Sequence, residues 1–84
     1  LGVELYSQHH IGELEDGQEI PIEYRRGKFV LVDQSTNGTY VSHEGEKPTL
    51  VHQDEIVLGM RGYITLGREE DADSSNAIHF SCEF

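Results

Sequence analysis

The chain has 84 residues, with sixteen Asp and Glu against six Lys and Arg and a formal net charge of −10. That length holds one domain with one modest core. The acidic balance repels nucleic acid and anionic membrane, so neither is expected as a partner. No apolar run approaches membrane-spanning length, and Leu1-Gly2-Val3-Glu4-Leu5 lacks the charged head and long apolar body of a signal peptide. A single cysteine, Cys82, forms no internal disulfide, which fits a reducing cytoplasmic setting. The expectation is a cytoplasmic domain that belongs to a longer protein.

Leu1, Val3 and Leu5 alternate with Gly2 and Glu4, the period of a first strand with one buried face. Ser7-Gln8-His9-His10 breaks that pattern. Adjacent histidines on an extended chain point to opposite sides and are poorly placed to hold one metal. Glu13 to Gly17 carries a turn signal with Asp16-Gly17 at its tip. Ile20, Ile22 and Tyr24 alternate again, but Pro21 removes a ladder donor, so this piece is expected at a sheet edge or as a break. Arg25-Arg26-Gly27-Lys28 gathers half of the basic residues around a glycine reversal. It reads as a solvated hairpin tip, one strand away from the next turn and so at the opposite end.

Phe29-Val30-Leu31-Val32 is apolar at every position, as a strand covered on both faces would be. Asp33-Gln34-Ser35-Thr36-Asn37-Gly38 then turns the chain, and Thr39-Tyr40-Val41 leaves as another strand. Asn37-Gly38 suits the positive φ angles of a tight turn, while Asp33 and Ser35 suit hydrogen bonds to nearby amides. The stretch reads as the tip of a hairpin. A rigid turn presenting Ser, Thr and Asn beside free amides is suited to a polar or anionic ligand.

Ser42 to Pro48 is a loop by composition, with Leu50 and Val51 expected to pack beneath it. Glu55 to Leu58 and Tyr63 to Leu66 flank Gly59-Met60-Arg61-Gly62 and read as a second hairpin. From Gly67 to Asn76 the chain is acidic and poor in apolar residues, an exposed loop. Ile78, Phe80, Cys82 and Phe84 alternate with polar residues, which predicts a half-buried edge strand with Cys82 as an inert core residue. No segment has a helical period. The fold class expected is all-β, a two-sheet antiparallel β-sandwich.

The string Asp-x-Ser-Thr-Asn-Gly-Thr-Tyr-Val from Asp33 to Val41 is preceded by Phe-Val-Leu-Val and followed by Asp-Glu-Ile-Val-Leu-Gly from Asp54 to Gly59. Together they resemble the forkhead-associated domain, a β-sandwich of the forkhead-associated and SMAD-like kind whose end loops bind phosphothreonine peptides. The resemblance spans Ile22 to Leu66. It implies that Thr36 contacts phosphate, Asn37 holds the peptide main chain, Gly38 shapes the turn and Ser35 supports it. It also implies a signalling role, a phosphothreonine-containing protein as partner, no cofactor and no catalysis. The oligomeric state does not follow from it.

The family's other phosphate loops, a Gly-Arg pair and a Ser-Arg-x-His loop, do not fall at their usual place. Their flanks abut near Pro21-Ile22-Glu23. Ser7-Gln8-His9-His10 has glutamine where arginine is needed and lies too far from Asp33. Gly67-Arg68 falls near the other end of the chain and reads as an exposed loop arginine. Either the pocket is lost, leaving a phosphate-independent interaction or structural module, or a loop is missing from the sequence between residues 20 and 24. The second is the expectation, because deleting a central strand would expose core and edges. A small hydrolase or metal enzyme could be drawn from Ser35, His52 and Asp33, or from His43, His52 and Asp54. No nucleophile motif surrounds Ser35, and such residue lists match by chance in short sandwiches.

Overall fold

Alternating segments and turn residues resolve into eight strands in the computed structural model, which describes residues 2–7 and 20–84. They are β1 (Gly2–Ser7), β2 (Ile22–Arg25), β3 (Lys28–Val32), β4 (Thr39–His43), β5 (Thr49–Val51), β6 (Glu55–Val57), β7 (Arg61–Leu66) and β8 (Ile78–Glu83). The described residues contain no helix. One sheet has five strands in the order β1-β8-β7-β4-β5, the other three in the order β2-β3-β6, and every pairing is antiparallel. This is the all-β, two-sheet antiparallel sandwich that the strand pattern predicts. The His9-His10 pair and the turn at Asp16-Gly17 lie outside the described residues.

Alternation decides what fills the space between the sheets. Phe29 and Leu31 come from β3, Val41 from β4, Val51 from β5, Ile64 from β7, and Ile78, Phe80 and Cys82 from β8. Leu58, on the connection after β6, completes the cluster. Burying side chains such as Phe80 and Ile64 stabilises the fold by roughly 1.5–3 kcal/mol each. Burial also pushes the Cys82 thiol above its ordinary pKa, which keeps it protonated and unreactive.

Phe29, Val30 and Leu31 are buried and Val32 is half-buried on β3, the central strand of its sheet. Leu31 faces the core, whereas Val30 stands on the outer face between Glu23 of β2 and Val57 of β6. Arg25 on β2 reaches across β3 to Glu55 on β6, with two N–H···O contacts of 2.9 Å. That bridge crosses the face on which Val30 stands, and Val30 is buried. Pro21 immediately precedes β2, which is an edge strand as the proline requires.

Three local expectations fail, and the reason is shared. The turn from Asp33 to Gly38 is not a hairpin tip: β3 and β4 belong to different sheets, so the segment crosses the sandwich. Gly59 to Gly62 is not a hairpin either, since β6 pairs with β3 while β7 pairs with β4 and β8. β8 is half-buried but is no edge, because β1 pairs along its outer side. Turn residues report that the chain reverses. They do not report which strand it meets, and in a sandwich that choice is made by distant pairing. Leu50 departs in a smaller way: Val51 packs into the core, while Leu50 on the opposite face of β5 is half exposed.

Candidate functional site

The crossing between the sheets is organised by one carboxylate. Asp33 is 4 % exposed and has no ion-pair partner among the described residues. Its Oδ1 accepts hydrogen bonds of 2.7 Å from the hydroxyls of both Ser35 and Thr39, and its Oδ2 accepts one of 2.8 Å from the Gln53 amide. Burial by itself would raise the pKa of this carboxyl. The Gln53 amide, the Thr39 hydroxyl, and the Ser35 hydroxyl and amide outweigh it and hold the group below its ordinary value.

The remaining bonds fix the segment at both ends. The Ser35 hydroxyl oxygen accepts the Gly38 amide at 2.9 Å, and the Asp33 amide donates to the Asp54 carbonyl at 2.8 Å. The Gly67 amide donates to the Gly38 carbonyl at 3.0 Å. Gly38 has a φ of 87°, which calls for glycine, and a Cβ placed on it would meet Leu50 Cδ1 at 2.7 Å and have to displace the tip of that half-exposed side chain. Asn37 is not in the left-handed region; only Gly38 of the pair supplies positive φ.

With the Ser35 hydroxyl engaged by Asp33, Thr36 and Asn37 remain exposed on an anchored backbone. They line an open cavity of about 570 Å³ together with Ile20, Pro21, Leu66 and Gly67. Ser35, Thr36, Asn37 and Gly38, the four residues singled out by sequence, therefore all border one concavity, although they divide into two support and two presenting positions. Turn chemistry identified Asp33 as a hydrogen-bonding residue but gave no sign of its burial. Nothing local to Leu66-Gly67 could place that pair here, because it arrives through the pairing of β4 with β7, where Thr39 faces Leu66.

The basic turn lies elsewhere. Arg26 and Gly27 have φ of 51° and 79°, the left-handed pair that a two-residue hairpin needs, and they close β2 onto β3 at the end remote from Asp33. Arg25 is engaged by Glu23 at 3.0 Å and by Glu55 at 2.9 Å. No Lys, Arg or His lines the Thr36 and Asn37 cavity among the described residues. The Ser35 hydroxyl donates to Asp33 and not to an imidazole, and no three His, Cys, Asp or Glu side chains converge among the described residues. Among the described residues there is no helix long and apolar enough to cross a membrane. Comparison with family models, with curated proteins and with solved structures returns no match.

Proposed function

We propose that this chain is a non-catalytic, cofactor-free module of the cytoplasm that binds phosphothreonine-containing protein segments at the Asp33 to Gly38 crossing. The observation that carries the reading is the division of labour within the crossing. Asp33, Ser35 and Thr39 satisfy one another, which leaves Thr36 and Asn37 exposed on a fixed backbone beside an open cavity. A hydroxyl and a carboxamide carried on a backbone that is already ordered engage a ligand without the cost of ordering that backbone. Thr36 has an O–H to offer a phosphate oxygen, and Asn37 has both a donor and an acceptor for a peptide main chain. The resemblance to the forkhead-associated domain assigns the same two roles.

A second reading is favoured by the absence of a lining cation among the described residues of the cavity: a phosphate-independent interaction domain. Titration with two degenerate peptide pools, identical except for phosphothreonine or threonine at the centre, separates them. Preference for the phosphorylated pool is expected, with Asn37→Ala weakening its binding about tenfold, the loss of one or two well-placed hydrogen bonds. Equal binding of both pools by the unaltered protein would establish the second reading instead.

A further inference from the structure

We infer that Arg68 supplies the positive charge that pairs with phosphate at the Thr36 and Asn37 site, an assignment that rests on the phosphopeptide reading above. A phosphate near −2 is held well only where a cation or several donors meet it. The strand register disposes the six basic residues of the chain unequally about the sandwich. Arg25, Arg26 and Lys28 cluster at the end of β3 away from Asp33. Lys47 follows the end of β4 away from Gly38, and Arg61 opens β7 at that same end, within 3.4 Å of Glu44. Only Arg68 follows a strand end that lies beside the crossing.

Its placement is set by backbone contacts. Thr39 faces Leu66 across the β4 and β7 pairing, the Gly67 amide donates to the Gly38 carbonyl at 3.0 Å, and a Cβ built on Gly67 would stand 3.8 Å from the Asn37 Cβ. Gly67, with a φ of 81°, lines the cavity, and Arg68 is the next residue. Arg68 is exposed and has no ion pair among the described residues. The acidic side chain two positions on is engaged within its own loop: the Glu70 carboxylate accepts from the Ser74 hydroxyl at 2.9 Å and from the Asn76 amide at 3.1 Å. A guanidinium presents a planar fork of N–H donors that matches phosphate oxygens, at the end of a stem long enough to swing over a neighbouring cavity. Among the described residues, the cation that the cavity wall lacks therefore stands one residue beyond it in the chain.

The test uses the phosphothreonine and threonine peptide pools with the unaltered chain and with Arg68→Ala, Arg68→Lys and Lys47→Ala. Arg68→Ala is expected to weaken binding of the phosphorylated pool about tenfold or more while leaving the threonine pool unchanged, as befits a charge-assisted hydrogen bond. Arg68→Lys should fall between, keeping the charge but not the fork, and Lys47→Ala should retain the full preference. Undiminished preference in Arg68→Ala, or an equal loss in Lys47→Ala, overturns the assignment and leaves the phosphopeptide reading standing. An unaltered chain that does not distinguish the two pools overturns both. Unchanged thermal midpoints, expected for substitution of an exposed side chain, show that the variants compared are folded.

Discussion

The two ends of β3 make an instructive pair. At one end the chain turns through Arg26-Gly27 into the neighbouring strand, in water, with Arg25 bridged to exposed glutamates. At the other it leaves its sheet altogether, and a buried carboxylate gathers Ser35, Thr39 and Gln53 around the crossing. The first turn carries more charge, yet exposed ion pairs contribute little and the tip could be recoloured without disturbing the core. The second has a single charge that matters, because it is out of water and every bond it accepts holds a different part of the chain. What makes a turn rigid is the burial of its hydrogen bonds, not the number of its charges.

The sharpest way to break this contrast is at Asp33. Replacement by Ala should destabilise the fold by about 3 kcal/mol, since several donors lose one acceptor together, and urea unfolding would read it as a lower midpoint at similar slope. A pH series refines the point. The native carboxyl titrates below its unfolded value of about 3.9, so the stability it contributes is fully present above that value and is lost as pH falls through the lower native pKa. Asp33→Asn should flatten that acid limb relative to the unaltered chain. An unchanged acid limb would show that the carboxylate is not what secures the crossing.

Glycine substitution at the two turns gives the next largest effect. Gly38→Ala should cost about 2 kcal/mol, combining a left-handed residue with contact against Leu50 Cδ1, and Leu50→Ala in that background should recover part of it. Gly27→Ala carries the same backbone penalty without the collision, because its nearest neighbour would be the Tyr24 hydroxyl at 3.9 Å. About 1 kcal/mol is expected there. Thermal or urea midpoints that fail to separate the two variants would erase the difference in packing. The smallest effect belongs to Arg25→Ala, below about 1 kcal/mol and diminished further in high salt, because its pairs with Glu23 and Glu55 are exposed.

Much of this architecture is written in short-range pattern. Alternation in Ile78, Phe80 and Cys82 marks one buried face, the unbroken Phe29 to Val32 run marks a covered strand, Pro21 marks an edge, and Arg26-Gly27 marks a true hairpin. These features depend on residues within a few positions of one another, where backbone geometry and solvation act directly. Strand partners are another matter. The crossings at Asp33 to Gly38 and at Gly59 to Gly62 have the same local chemistry as hairpins, and only the competition among whole strands for core burial sends their two sides into different sheets. That competition buries Asp33 and carries Gly67-Arg68 to the side of Asn37. Sequence named Thr36 and Asn37 as side chains worth presenting; the long-range pairing of β4 with β7 determined what stands next to them.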